Sequence, residues 1–378
     1  MEKKLKVAVI ACGNRARKVV GNLLRDSDRR VEIAAAYDPD ASEIGHVKEI
    51  WESPDTVACA SAEEAINFPG VSWVMVFSPN AMHKEHILAA FKAGKHVFSE
   101  KPLATTIEDC VAIYDAHKAS GLQFATGFVL RYAPLYRRVK EMLDSGKFGK
   151  IISINADENV PPYHGGYIMM NWRRNTAVSG PHILEKCCHD LDLINWFCQS
   201  HVSRAASFGG RNFFLPENES LHEKYGHGVF SRWRAPHALP SPFTSGGDLM
   251  DNQVAIFEYR NGIRVQFQCT MSNAMPTRRM YFSCTEGTIA LELYEKVIKY
   301  RFLGSDEENR ISFKNADGHG GGDDYIMKEL FATMTEGVPP KCSGNEGLES
   351  AILALAIDKA ARTGGIVDLE PVWKKLGR

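Results

Sequence analysis

The chain has 378 residues, of which 44% are hydrophobic and 24% are charged. This length exceeds what one hydrophobic core usually serves, so two domains are expected. The formal net charge of −1 gives no electrostatic basis for binding nucleic acid or an anionic membrane surface. No apolar run approaches the roughly 20 residues that a membrane-spanning helix needs.

Short apolar strands alternate with helices through the first third of the chain. Because these strands lack apolar–polar alternation, helices are expected to cover both of their faces, which predicts a doubly wound parallel sheet. The predicted strands are Lys6–Ile10, Val31–Tyr37, Val71–Phe77, Lys95–Ser99 and Gln123–Gly127, and the predicted helices are Arg15–Leu24, His83–Ala93 and Thr106–Ser120.

The pattern changes after the first third and predicts an α+β domain. Ile151–Asp157 alternates as a half-buried strand, and further strands follow, two of them joined by a hairpin signal at Asn261-Gly262. They predict an antiparallel sheet with one face left for solvent or association. Residues 209–250 are rich in Pro, His and aromatic side chains, and a loop of this length is usually functional or disordered.

Nine cysteines are scattered along the chain without a Cys-x-x-Cys pair, which favours reduced thiols in a cytoplasm. Cys187 and Cys188 are adjacent, so two small buried residues are favoured over a metal clip built from this pair alone. The spacings of His222, His227 and His237 match no compact metal site, so no protein-bound metal is expected.

The turn after the first strand contains a degenerate dinucleotide-binding sequence. It reads Ala11-Cys12-Gly13-Asn14-Arg15-Ala16 and keeps only the middle glycine of the Gly-x-Gly-x-x-Gly/Ala pattern. That glycine would let the backbone approach a pyrophosphate, whose charge the N-terminus of the next helix would stabilise. An ordinary strand–turn–helix unit is the alternative.

Asp38 lies just past the second strand, roughly 20 residues beyond this loop, where an acid accepts hydrogen bonds from an adenosine ribose. Such an acid repels a 2′-phosphate, so NAD is favoured over NADP, although Arg15 and Arg17 leave room for NADP. A turn residue before Pro39 is the alternative reading of Asp38.

Two further turns follow predicted strands. Ser78, Pro79 and Asn80 shape the first, which would face the nicotinamide-side ribose, and His83 after them is either part of this site or a residue that starts a helix. In the second, Pro102 cannot continue a central strand, so a turn holds Lys101 where open parallel sheets bind ligands. Glu100 orients Lys101, binds the nicotinamide side, or forms a structural ion pair.

Together these segments resemble the Gfo/Idh/MocA family, named for glucose–fructose oxidoreductase and inositol dehydrogenase. The resemblance rests on the order and spacing of the loop at Gly13, Asp38-Pro39, Pro79-Asn80-x-x-His83, Glu100-Lys101-Pro102, Gly127–Pro134 and Ser145–Lys150. It implies a Rossmann domain, taken as residues 1–127, and a substrate-binding and oligomerisation domain, residues 128–378. The second domain would have a large, mostly antiparallel open sheet that forms a homodimer or homotetramer.

The same resemblance implies NAD-dependent oxidation or reduction of a sugar, cyclitol or related polyol. It makes Lys101 catalytic or substrate-orienting and adds an acid and a histidine from the second domain, here Glu185 and His189. These two are spaced i, i+4 on one predicted helix face, and Asp192 lies on that face too. The family usually has Asp where Glu185 stands, and Lys186 beside it is also unusual. From the residues alone, a helix of satisfied polar side chains is the alternative.

Histidine has a pKa near neutrality, so His189 is predicted to be the base that takes the hydroxyl proton. Lys101 would hydrogen-bond the reacting oxygen. Trp172 and Arg173 resemble a family element near cofactor and substrate and are expected to bind the cofactor, with a surface basic turn as the alternative. Arg131 and Tyr163 are expected to bind substrate, and Gly318–Asp323 is predicted to be a flexible loop that brings a histidine and an aspartate forward.

Two other functions stay open. One is a glycoside hydrolase that uses NAD for transient oxidation followed by elimination, and the other is a non-catalytic protein that binds NAD and a sugar. No sequence feature identifies the sugar or polyol or the direction of the reaction.

Overall fold

The computed structural model describes residues 4–233, 237–314 and 319–378. They form two compact units. The first contains the described residues up to Tyr132 together with Gly322–Ala351, and the second contains Ala133–Gly321 and Ile352–Arg378. The expected boundary after residue 127 lies close to the first change of unit. The sequence did not indicate that residues 322–351 return to the first unit, because helical periodicity does not show which sheet a helix packs against.

The first unit contains a six-stranded parallel sheet with strand order 3-2-1-4-5-6. Its strands are β1 (Leu5–Ile10), β2 (Val31–Tyr37), β3 (Val57–Ala58), β4 (Val71–Val76), β5 (His96–Ser99) and β6 (Phe124–Thr126). Between them lie α1 (Asn14–Asp26), α2 (Ala41–Ile50), α3 (Ala62–Ile66), α4 (His83–Lys92) and α5 (Ile107–Ser120), with short 3₁₀ turns at Asn80–Met82 and Val129–Tyr132. The predicted doubly wound sheet is confirmed. Its order reverses between β1 and β4, where such sheets bind ligands.

The second unit is built from the remaining elements up to residue 321. The helices are α6 (Pro134–Asp144), α7 (Pro162–Met170), α8 (Thr176–Ser179), α9 (His182–Glu185), α10 (Cys188–Cys198), α11 (Ser220–Tyr225) and α12 (His227–Phe230), with 3₁₀ turns at Trp172–Arg174 and Pro216–Asn218. The strands are β7 (Ile151–Asn159), β8 (Val202–Gly210), β9 (Asn252–Tyr259), β10 (Arg264–Thr270), β11 (Thr277–Cys284), β12 (Gly287–Glu292), β13 (Val297–Phe302) and β14 (Asn309–Ser312). The chain ends with α13 (Gly322–Glu336), α14 (Gly344–Thr363), β15 (Val367–Asp368) and α15 (Glu370–Lys375).

The sheet of the second unit has strand order 14-13-12-11-7-10-9-8-15. β7 and β10 run parallel, and the other neighbouring strands in the described residues are antiparallel. Alternate side chains along β9 are buried and exposed, as a sheet with one open face requires. Ile256 and Phe208 project from that open face with 60% and 80% exposure. The predicted mostly antiparallel open sheet is confirmed.

The irregular segment between β8 and β9 has an aromatic core of its own. Phe214, Phe230 and Phe243 are buried and pack in one cluster with Val160 and Met271. The Asp251 carboxylate accepts hydrogen bonds from three successive backbone N–H groups, those of residues 212 to 214, at 2.8 to 3.0 Å. Within 209–233 and 237–250, this segment is therefore an ordered, packed part of the second unit. Residues 234–236 of the predicted loop lie outside the described residues.

No helix in residues 4–233, 237–314 or 319–378 combines the length and the apolar character that crossing a membrane requires.

Candidate functional site

The glycine loop joins β1 to α1 and opens onto free space. A Cβ added to Gly13 would meet nothing within 4 Å, and Gly13 precedes the first residue of α1. The first turn of α1 carries no acidic residue that would oppose an anion there. Because a helix N-terminus with an open backbone approach suits a phosphate group, the loop fits a dinucleotide pyrophosphate.

Asp38 holds the neighbouring turn. Its Oδ2 accepts a hydrogen bond from the backbone N–H of Cys12 at 2.7 Å, and its Oδ1 accepts one from that of Asp40 at 2.9 Å. Asp38 is thus a turn residue, as the alternative reading held, and it also fixes the glycine loop to the end of β2. An acid at this strand end is where a dinucleotide presents its ribose hydroxyls, so both roles are compatible with the geometry.

Arg15 connects three segments of the first unit. Its Nε donates to Glu100 Oε1 at 2.5 Å, and its Nη1 donates to Asp323 Oδ1 at 2.7 Å. Lys18 adds a second cation on Asp323, with Nζ 2.6 Å from Oδ2. Burial opposes the charge of Arg15, but Glu100 and Asp323 raise its pKa above the usual range. We call Arg15, Glu100, Asp323 and Lys18 the Arg15 cluster. Glu100 therefore forms an ion pair with Arg15, which is one of the alternatives predicted for Glu100 from the sequence.

Lys101 follows Glu100 at the carboxyl end of β5 and is partly buried. Its backbone N–H lies 3.2 Å from Glu100 Oε2, and its peptide bond to Pro102 is cis. The strand end therefore holds Lys101 in a turn, as predicted, beside an acid that Arg15 already neutralises.

His83 ties this turn to the preceding one. Its Nδ1 lies 2.7 Å from the Pro102 carbonyl oxygen and its Nε2 lies 2.9 Å from that of Ser78. Ser78 Oγ lies 2.9 Å from His86 Nδ1, and Asn80 is buried in the same turn after Pro79. Burial lowers the pKa of His83. His83 therefore supports the turns around Lys101, and its predicted contact with a cofactor stays a prediction.

In the second unit, Glu185 and His189 do not share one continuous helix, so that prediction is wrong. Glu185 is the last residue of α9, His189 lies in the first turn of α10, and the chain breaks between them at Lys186. Lys186, in this break, forms an ion pair with Glu158, with Nζ 2.7 Å from Oε1. His189 and Asp192 are both buried on α10, as expected.

A buried charge cluster lies behind this segment. Arg278 on β11 donates from Nε and Nη2 to the two oxygens of Asp190, at 2.9 and 2.7 Å, and also pairs with Glu158. The positive charges of Arg278 and Lys186 balance the negative charges of Asp190 and Glu158. Burial raises the pKa of Asp190 to about 6 against the opposing effect of Arg278. Burial also favours a higher pKa for Glu158, but Arg278 and Lys186 bring it below its usual value. We call these four residues the Arg278 cluster.

Arg173 lies against Glu185. Its Nε donates to Glu185 Oε1 at 3.0 Å, its Nη1 lies 3.2 Å from Tyr167 Oη, and its guanidinium lies 4.2 Å from the centre of the Trp172 ring. The prediction that Trp172 and Arg173 bind the cofactor stays untested. The geometry shows that Arg173 is the positively charged partner of Glu185 and that its guanidinium lies close to the rings of Tyr167 and Trp172.

Aromatic side chains extend from this arginine to the irregular segment. Trp233, which is 42% exposed, lies edge-on to Tyr163 and Tyr167 with ring centres 5.4 and 5.2 Å apart. A Cβ on Gly165 or Gly166 of α7 would collide with the carbonyl oxygen of Met271 or Phe230, which explains the two glycines between these tyrosines. The sequence pointed to Tyr163 but not to Trp233. The residues around Trp233 show no regular pattern that would predict a helix or a strand.

The predicted loop Gly318–Asp323 separates into two parts. Gly318 lies outside the described residues. His319 lies in the second unit with its ring centre 5.5 Å from that of His189, whereas Asp323 is the second residue of α13 in the first unit. Arg131 lies in the 3₁₀ turn Val129–Tyr132 and is partly exposed, and its predicted role in substrate binding stays a prediction.

Comparison with protein families gives two matches. Residues 5–128 match the oxidoreductase family with an NAD-binding Rossmann fold, and residues 136–290 match the GFO/IDH/MocA C-terminal domain.

Among curated proteins, the chain is 29% identical to inositol 2-dehydrogenase of Gluconacetobacter diazotrophicus over 66% of this chain and 64% of that enzyme. It is 25% identical to 1,5-anhydro-D-fructose reductase of Ensifer adhaerens over 82% of this chain and 83% of that enzyme. Among solved structures, levoglucosan dehydrogenase in complex with NADH and levoglucosan superposes with a TM-score of 0.80 at 18% identity, covering 97% of this chain and all (100%) of that one. At this identity the structural likeness shows the shared fold.

Proposed function

Since the chain belongs to the Gfo/Idh/MocA oxidoreductase family, whose first domain is an NAD-binding Rossmann fold, we propose that it is an NAD-dependent dehydrogenase acting on a sugar, cyclitol or related polyol. Two local arrangements carry the proposal, each within its own unit. Lys101 lies in a turn at the carboxyl end of β5, and the segment Glu185–Asp192 supplies an acid, a histidine and a second acid. These residue types suit the removal of a hydroxyl proton.

In this proposal the cofactor is held by the residues around β1, β2 and β4. Backbone groups of Cys12, Gly13 and Asn14 bind the pyrophosphate, and Asp38 binds the adenosine ribose. Ser78, Pro79, Asn80 and Glu100 border the nicotinamide side. Arg15 is paired with Glu100 and Asp323, and Arg17 with Glu43, so both arginines that would favour NADP already have carboxylate partners. This supports NAD as the preferred cofactor.

The chain's own part in the reaction is to orient the substrate and to move one proton. The bound nicotinamide supplies the acceptor or donor of hydride. His189 takes the hydroxyl proton of the substrate in the oxidation direction and returns it in the reduction direction. Lys101 hydrogen-bonds the reacting oxygen. Glu185, oriented by Arg173, and Asp192 bind neighbouring hydroxyl groups or fix the imidazole.

The aromatic residues beside Glu185 support a cyclic polyol as substrate. Tyr163 and Trp233 present ring surfaces of the kind that cover the apolar face of a sugar ring, and Arg131 would add a polar contact. Trp233 is partly exposed, so its ring has surface left for a ligand.

The direct test is an absorbance assay for NADH with the purified protein and a panel of free sugars, cyclitols, anhydrosugars and aryl glycosides, repeated with NADP. We expect NADH formation with at least one free polyol, and a higher kcat/KM with NAD than with NADP. Release of an aglycone from a glycoside without net NADH would replace the proposal with the redox-assisted hydrolase. Polyol binding in the presence of NAD without any turnover would indicate a non-catalytic binding protein.

The open sheet face supports self-association. Ile256, Tyr281 and Asn155 line a shallow depression of about 590 Å³ on that face, and Phe208 is 80% exposed there. Because an apolar surface of this kind is unfavourable in water, we propose that a second copy covers it in a homodimer or homotetramer. Light scattering of the wild type and of Ile256→Lys tests this, with Ile50→Lys on α2 as the control. A monomeric wild type would contradict it. We also propose a cytoplasmic location, where nine cysteines that form no disulfide within the described residues would stay reduced.

A further inference from the structure

Three metal-ligating side chains meet in the interior of the second unit. They are His182 on α9, Cys187 in the break before α10, and Cys269 on β10. One ligand atom from each, an imidazole nitrogen and two Sγ atoms, lies within 4.8 Å of the other two. Their exposures are 2%, 0% and 1%, so the three groups are closed off from solvent.

His182 supplies the second observation. Within the described residues, neither of its ring nitrogens has a hydrogen-bond partner. An imidazole buried with an unsatisfied donor and an unsatisfied acceptor is unfavourable, because both groups lose the hydrogen bonds that they make with water. Buried polar atoms without partners are rare in folded proteins, and an ion or water that satisfies them is a common reason.

We propose that His182, Cys187 and Cys269 bind a borderline or soft divalent cation, for which Zn²⁺ is the natural probe. Thiolate and imidazole are the ligands that such a cation prefers. Zn–S bonds of about 2.3 Å and Zn–N bonds of about 2.0 Å place ligand atoms about 3.5–4 Å apart, which the observed grouping reaches with small side-chain movements.

The charge balance suits a buried site. Binding removes one proton from each thiol, and the two thiolates neutralise the dication while the imidazole stays neutral. The complex as a whole is therefore uncharged, which lowers the cost of holding it without solvent. The two protons pass to the buffer, so binding should release two protons for each cation.

A disulfide between Cys187 and Cys269 is the main rival. It would use both sulfur atoms but leave both nitrogens of His182 unsatisfied, whereas a cation would bind both sulfur atoms and one of these nitrogens. Cys188 is equally buried, but its Sγ faces the Glu185 carbonyl oxygen at 3.9 Å and is not part of the grouping.

The consequence is a structural one. A cation held by these residues would fix the segment around Lys186 to β10. Glu185 and His189 extend from that segment, so the metal would hold the candidate acid and base in position without contacting substrate.

The test begins with the wild-type protein, reduced and stripped with a chelator. Titration with Co²⁺ should produce thiolate-to-metal charge-transfer absorption in the near ultraviolet that saturates at one equivalent, and Zn²⁺ should abolish this absorption. Added Zn²⁺ should also raise the melting temperature. Cys187→Ser and Cys269→Ser should each weaken Co²⁺ binding by more than about tenfold, whereas the matched control Cys188→Ser should bind as the wild type does.

Because the wild type is measured first, the proposal does not depend on whether a variant folds. No charge-transfer absorption from reduced wild type would overturn it, as would equal binding by Cys188→Ser, Cys187→Ser and Cys269→Ser. A Cys187–Cys269 disulfide in the protein as purified, with no metal taken up after reduction, would assign the grouping to thiol oxidation instead.

Discussion

Each unit has an arginine between two carboxylates close to its candidate residues, but the two arginines differ in their access to solvent. The Arg15 side chain is 24% exposed and lies at the start of α1 beside the open glycine loop. The Arg278 side chain is 1% exposed and lies behind the segment that carries Glu185 and His189. Similar ion pairs therefore lie at a solvent-accessible surface in the first unit and in the buried interior of the second.

The difference shows what each cluster contributes. A buried charge that loses its partner has no water to replace it, so the Arg278 cluster should act chiefly on stability. The Arg15 cluster keeps access to water, and Lys18 supplies Asp323 with a second cation. The Arg15 cluster should therefore affect the conformation of the glycine loop at Gly13 more than the free energy of unfolding.

The largest effect on stability is expected for Arg278→Met. It leaves the carboxyl groups of Glu158 and Asp190 buried without their main partner, and the free energy of unfolding should fall by about 3–5 kcal/mol. The measurement is urea unfolding of the variant and of Arg279→Met, the neighbouring residue on β11, whose side chain is 59% exposed. Equal stability of the two variants would contradict the main role of the Arg278 cluster in stability.

A smaller loss of stability, about 1–2 kcal/mol, is expected for Arg15→Met, since solvent and Lys18 compensate in part. Because Arg15 joins α1 to the turn at Glu100, NAD affinity should fall by about tenfold or 1.4 kcal/mol. Calorimetric titration with NAD measures this, with Arg25→Met on the exposed side of α1 as the control. If Arg15→Met lost stability but bound NAD normally, the cluster would be purely structural.

Arg173→Met tests the orientation of Glu185 separately from stability. Without its ion pair to Arg173, Glu185 is no longer held in place, and kcat/KM for the substrate should fall by about 10–100-fold. Arg174→Met is the matched control, because the Arg174 guanidinium donates to a backbone carbonyl, that of Asn171. Wild-type kinetics in Arg173→Met would mean that Glu185 does not need this partner.

The smallest effect is a pH dependence in the first unit. Burial lowers the pKa of His83 in the folded state, so the unfolded chain takes up this proton more readily. The stabilisation is complete above the ordinary histidine pKa of about 6.5 and declines as the pH falls below it. Urea unfolding at pH 7.5 and pH 5.5 should show a shallower acid loss for His83→Asn than for wild type. His46→Asn, at an exposed position on α2, should follow the wild type, and identical slopes for all three would contradict the assignment.

The features that the sequence predicted well are local ones. Apolar runs predicted five of the six parallel strands, all but the two-residue β3, whose residues are exposed. The turns at Gly13, Ser78 and Lys101 follow these strands. The mostly antiparallel sheet was also predictable from alternation and from the turn at Asn261-Gly262.

The features that it missed depend on partners distant in the chain. Nothing near Arg278 indicates that it meets Glu158 and Asp190, since a charged residue in an alternating strand is usually solvated. Lys186, in the break between α9 and α10, pairs with Glu158, which is distant in the chain. Helical spacing alone placed Glu185 and His189 on one helix. The return of residues 322–351 to the first unit depends on packing that periodicity does not encode.

The central claim is that Lys101 and His189 serve one hydride-transfer reaction, and steady-state kinetics of single and double variants tests it most directly. With a substrate from the polyol panel, Lys101→Met and His189→Asn should each lower kcat by about 10²–10⁴-fold while NAD affinity stays close to that of wild type. The double variant should lose much less than the product of the two single losses, as residues that act in one step do. Wild-type turnover in either single variant, with NAD still bound, would contradict the account.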